Sequence, residues 1–434
     1  MTIGTQRHGS IAELPIVVTS GGSRTIAVAI LTGGSDKPYA FGLATTLLSR
    51  GAAIDLIGSD ELDCPEFRNM PGLTFLKLRG DQQFNASFVR KAYRISSYYI
   101  KLIRYAATAK PRIFHILWNN KFEIFDRTLL MLYYRFLGKS IVITAHNVNA
   151  DKRDSQDTLI NRITLRIQYR LAHHVFVHTE KMRLELIEEF GVHGGRATVI
   201  PFGINNAVPD TLLTSREAKQ RLGIRDGERT ILFFGRITRY KGLEYLIAAF
   251  RQIIARHRDY RLIIAGRPEP EDFERYWRPL QKLIHKEVGG DRVLVRADFI
   301  PDDETEVYFK AADVLVLPYR HIYQSGVLFL GQSFGLPVLA ADVGSLRDDI
   351  IEGKTGFVFR PDDSSDLART IERYFASPLF ADLNNQRHAI RDYATKRHSW
   401  DPVGQMTMSR YARLIGHNFR ELADRDVPSM SPSD

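Results

Sequence analysis

Arg236 and Lys241 lie five positions apart in the run FFGRITRYKGLEYLIAAF, Phe233 to Phe250. The run changes character around them. An apolar strand pattern, Thr230 to Phe234, stops at Gly235, and the helical spacing of Leu243, Leu246, Ile247 and Phe250 begins just after Gly242. Two cations at a helix start suit a bound diphosphate: free N-terminal amides and fixed positive charge together neutralise the charge that grows on a departing phosphate. The plainer reading is an Arg and a Lys on an ordinary loop. A second segment, Leu317 to Phe359, reads strand, Ser-Gly turn, helix, strand, Gly turn, helix, strand. Gln324, Ser325, Gly326 and Val327 stand where its first helix begins, so their amides can meet phosphate or sugar hydroxyls, and Gly326 permits close backbone approach. In the N-terminal half, Gly33 and Gly34 follow the first apolar run, and His146 with Asn147 follows the fifth. The glycines either admit a ligand to the backbone or simply turn the chain. The histidine either meets a sugar hydroxyl or fills the interior.

These residues need strands to end beside them, and the pattern supplies two arrays. In the first, Ile26 to Leu31, Ile54 to Ile57, Thr74 to Leu78, Ile113 to Leu117, Ser140 to Thr144 and Val175 to His178 are strand candidates with helices between them. The second runs Ile231 to Phe234, Arg261 to Ala265, Val293 to Val295, Val314 to Leu317, Val338 to Ala340 and Gly356 to Phe359. Near-continuous apolar strands alternating with helices predict an α/β chain of two Rossmann-like, doubly wound parallel-sheet domains. In such sheets ligands bind beyond the C-terminal strand ends, so the two domains are expected to face each other across a cleft. The expected organisation is a loose tail over 1–25, a first domain over 26–204, a second over 205–399, a helix near 400–423 packing back on the first, and a frayed end over 424–434. The boundary falls near Asn205, before a turn-rich stretch with one short helix, Ser215 to Leu222.

Five landmarks in order then become specific: Gly235-Arg236, Lys241-Gly242, Ala265-Gly266, AADVLVLPY from Ala311 to Tyr319, and Gly335-Leu336-Pro337-Val338. Over about one hundred residues this order resembles the nucleotide-sugar glycosyltransferases of the GT-B fold, most closely family four, the group 1 glycosyl transferases. The resemblance implies a nucleoside diphosphate sugar as donor and no further cofactor. It puts the base against the backbone of Asp298 to Pro301, with Phe299 and Ile300, and the diphosphate and sugar against Gly235, Arg236, Lys241 and the Gln324 to Val327 turn. It gives Gly33, Gly34 and His146 to the donor sugar or acceptor, and it implies a saccharide or polyprenyl-linked saccharide acceptor in polysaccharide (exopolysaccharide) biosynthesis. One departure stands out. Family members that retain configuration carry Glu, seven residues, Glu before Gly-Leu-Pro-Val, and those positions here are Ile322 and Leu330. Either Gln324, Ser325 or Gln332 takes over, or the stereochemistry differs. Retention lets the departing phosphate take the acceptor's proton, whereas inversion needs a base, for which His146, Asp151 and Asp154 are in reach. The alternatives are a non-catalytic sugar-nucleotide binder or a nucleotide-sugar epimerase on the same fold.

The remaining composition narrows the setting. With 434 residues, 44% hydrophobic and 25% charged, the chain is of ordinary globular type and long enough for two cores. A single cysteine, Cys64, excludes an internal disulfide framework and fits a reducing, cytoplasmic compartment. No apolar run is long enough to cross a membrane, and the first 25 residues lack the signal-peptide pattern. No Asp-any-Asp cluster or His/Cys spacing accompanies the phosphate residues, so no metal is implied. Net charge is +10, and from Gln82 to Phe122 there is no Asp or Glu, while Lys91, Arg94, Lys101 and Arg104 alternate with Tyr93, Tyr98, Tyr99 and Tyr105. This basic, aromatic helix is expected to touch anionic lipid peripherally, at the inner face of the cell membrane, with tyrosines at the headgroups. No nucleic-acid reader motif accompanies the charge, so nucleic acid is not the expected partner.

Overall fold

The computed structural model describes residues 25–34, 36–80, 87–120, 122–153, 157–204 and 208–416. Residues 1–24 of the first expected tail, the whole of the second, the boundary at Asn205 and the candidate base Asp154 lie outside them. Seven strands form the first sheet: β1 (Ala27–Leu31), β2 (Ala53–Ile57), β3 (Leu73–Leu76), β4 (Ile113–Ile116), β5 (Ser140–Thr144), β6 (His174–Val177) and β7 (Ala197–Val199), in the order β3-β2-β1-β4-β5-β6-β7. Six form the second: β8 (Arg229–Phe234), β9 (Tyr260–Ala265), β10 (Val293–Arg296), β11 (Val314–Leu317), β12 (Val338–Ala341) and β13 (Gly356–Phe359), in the order β10-β9-β8-β11-β12-β13. Every pairing is parallel. The helices that bear on function are α1 (Lys37–Leu48), α2 (Phe88–Thr108), α3 (123–136, with a π-helical turn at Asp126–Leu130), α4 (Leu159–Leu171), α5 (Glu180–Glu188), α6 (Leu243–Ile254), α7 (Asp302–Ala311), α8 (Gly326–Ser333) and α9 (Trp400–Leu414).

Near-continuous apolar strands are explained by burial on both faces. In β1, Ala29 and Leu31 pack with Tyr98 and Leu102 of α2, Met131 and Tyr134 of α3, Leu165 of α4 and Leu186 of α5. Val28 and Ile30 point the other way, onto Leu43 and Leu47 of α1 and Val403 and Tyr411 of α9. In β8, likewise, Ile231 and Phe233 join one apolar layer and Leu232 the other. The period-two alternation of a strand therefore separates two cores rather than a core from solvent. The sequence reading missed β7, whose three residues are too few to show a period.

The helix α9 returns to the first domain at its very start. The Trp400 ring occupies the space a side chain would need at two glycines: a Cβ built on Gly42 would lie 2.0 Å from the ring, and one on Gly203 2.2 Å. Trp400 Nε1 donates to the Ile204 carbonyl at 2.8 Å, Thr46 Oγ1 donates to the Trp400 carbonyl at 3.1 Å, and Arg50 pairs with Asp401 at 2.8 Å. Deeper in, the Tyr411 hydroxyl meets His115 Nδ1 at 2.5 Å, with both residues buried.

The basic helix α2 differs from expectation in one respect. Of the tyrosines expected at a lipid surface, Tyr98 and Tyr99 are buried and Tyr105 is half-buried, its hydroxyl donating to Asp55 at 2.7 Å. Their spacing reads equally well as the buried stripe of an amphipathic helix, and the sheet takes it. Tyr93 alone of the four faces solvent.

Gly42→Ala is expected to destabilise the protein by about 1–3 kcal/mol, the usual cost of forcing a methyl into a packed contact. Urea unfolding curves check this. An unchanged midpoint would mean that Trp400 is not wedged against α1.

Candidate functional site

At the exit of β8 the backbone turns at Gly235 (φ 99°), where a Cβ would lie 2.7 Å from Lys241 Nζ and 3.4 Å from Val327 Cγ2. Gly235, Lys241 and the first turn of α8 thus converge on one spot. Gly266, at the exit of β9 (φ 144°), is pressed against the same place: its Cβ would lie 2.0 Å from the Gly235 carbonyl. Gly242 (φ 63°) closes the third side, with Cβ space filled by the Pro318 carbonyl at 2.0 Å. Each of the three glycines stands where another backbone or side chain leaves no room for a Cβ. The two cations are held differently. Lys241 ends a 3₁₀ turn, Arg239–Lys241, is buried, and lies with Nζ 5.5 Å from the Tyr319 ring centre. Arg236 is 65% exposed, with a long 3.4 Å contact to Glu269.

The α8 end carries Ser325 as N-cap, its Oγ accepting from Leu328 N at 3.4 Å, and the first amides of the helix have no intrahelical partner. Gly326 is exposed and looks toward Phe202, whose ring is 3.7 Å from its built Cβ. Beyond β10, Phe299 is 66% exposed, whereas the Ile300 side chain is buried in the second domain, so only its backbone can face a ligand. Of the positions where the missing glutamates would stand, Leu330 is buried core and Ile322 is half-buried.

Beneath Gln324 lies a carboxylate that the sequence reading overlooked. Asp349, at the end of the 3₁₀ turn Leu346–Asp349, is buried, and its Oδ2 accepts from Gln324 Nε2 at 3.5 Å. Its backbone carbonyl accepts from Gln332 Nε2 at 2.8 Å. Arg397 and His398 stand 3.8 and 4.0 Å from Oδ1, too far to hydrogen-bond. Burial therefore dominates and pushes the Asp349 carboxyl up to about 6. Gln324 and Gln332 each leave a buried amide oxygen without a protein partner among the described residues. The only sequence signal was a pair of aspartates, Asp348 and Asp349, in a turn, which reads as solvated charge.

In the first domain, Gly33 and Gly34 (φ 63° and 90°) are packed rather than open. A Cβ at Gly33 would lie 2.7 Å from the Asn119 carbonyl, and one at Gly34 2.5 Å from Arg79 Nη1. The Gly34 amide donates to Thr32 Oγ1 at 3.1 Å and its carbonyl accepts from Ser59 at 2.7 Å, so that amide is already engaged. Asp36, also missed, follows in the left-handed region at φ 63°. It caps α1 through Tyr39 N at 3.4 Å and accepts from Trp118 Nε1 at 3.0 Å, and burial raises its carboxyl above the ordinary range. An Asp just before Lys-Pro at a helix start is an N-cap signal, and that signal was available. His146 stacks on Trp118 (4.7 Å between centroids, 10°) and meets Tyr39 edge-on at 4.4 Å. His178 Nδ1 faces the Ile200 carbonyl at 3.3 Å, which only accepts, so His178 Nε2 is left as the acceptor for His146 Nδ1 at 3.2 Å. His146 Nε2 then bears a free lone pair, buried and unpartnered among the described residues. Burial pushes its pKa down to about 3 and keeps the ring neutral. Asp151 is half-buried on a short helix, Ala150–Arg153.

The two strand-exit edges face one another. Lys37, after β1, pairs with Asp302, after β10, at 3.0 Å, and the Tyr323 hydroxyl reaches Glu185 across the same seam. A hollow of about 660 Å³ bordered by Ala248, Arg251 and Arg292 lies elsewhere and contains none of these residues. Among the described residues no group of three or more His, Cys, Asp or Glu is arranged to hold a metal ion.

Two Rossmann-like parallel-sheet domains meeting at their strand exits define the GT-B fold. The chain belongs to the group 1 glycosyltransferases: residues 214–397 match the family Glycosyl transferases group 1, and residues 38–208 match Glycosyltransferase Family 4. An uncharacterized glycosyltransferase of Methanocaldococcus jannaschii is 28% identical over 244 residues, 55% of this chain and 59% of the relative, so the chain matches little more than half of that protein's length. Among solved structures, sucrose-phosphate synthase from Thermosynechococcus elongatus superposes with a TM-score of 0.71 at 20% identity, over 91% of this chain and all of the other. Anabaena HepE in complex with UDP and glucose gives 0.69 at 16%, over 89% of this chain and all of the other. At these identities the structural likeness establishes the fold.

Asp349 generates a pH prediction. A carboxyl raised from 3.8 to about 6 holds its proton in the folded protein where the unfolded chain has shed it, so its stabilising effect is full below the unfolded value and is lost as pH rises through 6. Relative to Asp349→Asn, the wild type should lose about 2 kcal/mol of stability between pH 4 and pH 7. Urea melts of both proteins across that range measure it. A difference that does not vary with pH would return the carboxyl to its ordinary value.

Proposed function

We propose that the chain transfers a hexose from a nucleoside diphosphate sugar to a saccharide or polyprenyl-linked saccharide acceptor in polysaccharide biosynthesis. The observation that carries this reading is the convergence of Gly235, buried Lys241 and the first turn of α8 on one spot. A fixed ammonium beside the N-terminal turn of a helix is preorganised for the two negative phosphates of a leaving nucleoside diphosphate. Arg236, exposed and lightly held, can swing onto the same diphosphate when the donor arrives. HepE was solved with UDP and glucose, which supports a donor of this kind. The base lies against the backbone at Phe299 and Ile300, and no metal or further cofactor takes part.

Chemistry at the sugar falls to other residues than the family's glutamates. Gln324, braced by Asp349, offers an amide to a sugar hydroxyl, although an amide cannot match a carboxylate's support of developing positive charge. On the first domain, the free Nε2 of His146 can accept a hydrogen bond from an acceptor hydroxyl, and Asp36 stands beside Trp118, on which His146 stacks. If configuration is retained, the departing phosphate takes the proton on the same face; if it is inverted, His146 or a neighbouring carboxylate takes it. The chain acts in the cytoplasm, as a peripheral protein at the inner membrane face. The replacement of both glutamates, Ile322 and Leu330, favours one second reading, a protein that binds a sugar nucleotide without turnover.

Thermal shifts against UDP, GDP, ADP and their hexose conjugates are expected to single out one base. Arg236→Ala and Lys241→Ala should each lower transfer about a hundredfold or more while leaving the fold intact. Release of nucleoside diphosphate reads the rate. Wild-type turnover in both variants would remove the diphosphate assignment, and a donor shift without any turnover would favour the non-catalytic reading.

A further inference from the structure

Seventeen large apolar side chains are exposed among the described residues, and eleven of them fall between positions 89 and 163. They lie on or beside α2, α3 and α4, which cover one face of the first sheet. On α2, Val89, Tyr93 and Ile100 are four and seven residues apart and so form one stripe, exposed by 76, 75 and 53%. On α3, Leu129, Leu132 and Phe136 repeat at three and four, and Phe136 is 87% exposed. The start of α4 shows Leu159, Ile160 and Ile163. The opposite sides of the same helices fill the core, so these residues point outward by the helical period.

The three stripes adjoin. The Tyr133 hydroxyl of α3 donates to the Ile103 carbonyl of α2 at 3.2 Å, and Arg127 of α3 donates to Asn161 of α4 at 2.7 Å. An apolar surface spread over three neighbouring helices marks an interaction site. Its charge identifies the partner. Neither Gln82 to Phe122 nor Thr158 to Thr179 contains an Asp or Glu, while Lys91, Lys101 and Arg104 lie on α2 and Arg166 and Arg170 on α4. The acids nearest the patch are occupied: Asp126 is buried, and Glu123 and Asp157 pair with Arg127 and Arg162. A broad layer of apolar side chains set among cations complements an anionic lipid surface, which offers acyl chains beneath negative headgroups.

We propose that the outer face of α2, α3 and α4 docks on a membrane containing anionic lipid, with Leu129, Leu132 and Phe136 entering the acyl boundary. The buried tyrosines Tyr98 and Tyr99 take no part in it. The three helices begin at the exits of β3, β4 and β5, so Val89 and Leu159 lie toward the cleft edge and the docked protein opens its cleft beside the lipid plane. A lipid-linked acceptor then reaches the site with its anchor still in the bilayer; that consequence rests on the proposed transfer reaction, while the docking itself does not.

The test uses the full chain and sedimentation with vesicles of phosphatidylcholine, alone or mixed in equal parts with phosphatidylglycerol. The wild type is expected to bind the mixed vesicles about tenfold or more better than the neutral ones at low salt, with the preference falling as salt rises. The triple variant Leu129→Ser, Leu132→Ser, Phe136→Ser should lose about tenfold or more of that binding. The triple variant Lys91→Gln, Lys101→Gln, Arg104→Gln should lose the preference and its salt dependence. Both should keep the wild-type melting temperature and the same thermal shift with UDP, so a failure at the donor site is read separately from a failure at the surface. No preference for the mixed vesicles, or equal binding by wild type and apolar variant, would overturn the proposal. So would an apolar variant that keeps its vesicle binding and turns a dimer into a monomer by light scattering, since the face would then belong to a second copy.

Discussion

Every strand in both sheets runs in the same direction, and from this constraint the rest of the structure follows. Parallel pairing sends each connection back over a face of the sheet, which buries both faces and leaves one edge where all the strand-exit loops gather. On the second sheet that edge holds Gly266 against the Gly235 carbonyl and Gly242 against the Pro318 carbonyl, with Lys241 Nζ beside Gly235. On the first sheet it holds Gly33, Asp36, Trp118 and His146. A cleft arises because two such edges face each other, and the Lys37–Asp302 pair shows how close they come.

The electrostatics divides the work between a fixed charge and an exposed one. Lys241 is buried and cannot leave, so its field at the Gly235 turn is preorganised before any ligand binds. Arg236 is exposed and makes a long 3.4 Å contact to Glu269. Below them, the nearest cation to Asp349, Arg397, stands 3.8 Å away, and burial outweighs it and raises the carboxyl's pKa. The chain has thus kept a carboxyl group near the first turn of α8, but behind Gln324 rather than at Ile322, where the family would have it.

Much of the fold was legible in the sequence because burial on both faces writes itself as short, nearly all-apolar runs. Twelve of the thirteen strands among the described residues had such runs; β7, three residues long, did not. The cation pair was legible because Gly235 and Gly242 bracket it. What could not be read is whatever depends on contacts between distant segments. Nothing in the sequence says that Asp349 comes to rest under Gln324, or that His178 fixes the tautomer of His146. The tyrosines of α2 show the limit of composition: an aromatic, basic helix was correctly identified, but which of its sides meets the sheet depends on a neighbour that the sequence does not name.

The seam around Trp400 has a further consequence. Two segments at the domain boundary, 201–204 and 398–400, lie side by side, lashed by Ile204 N to the His398 carbonyl at 2.8 Å, Trp400 Nε1 to the Ile204 carbonyl at 2.8 Å and His398 Nδ1 to the Phe202 carbonyl at 3.2 Å. A single tether would act as a swivel, letting the halves twist and tilt at random. Two tethers tied together leave one easy motion, a swing about the line joining them. A closure about that line would bring the two strand-exit edges together in one register, set by the axle rather than by a ligand.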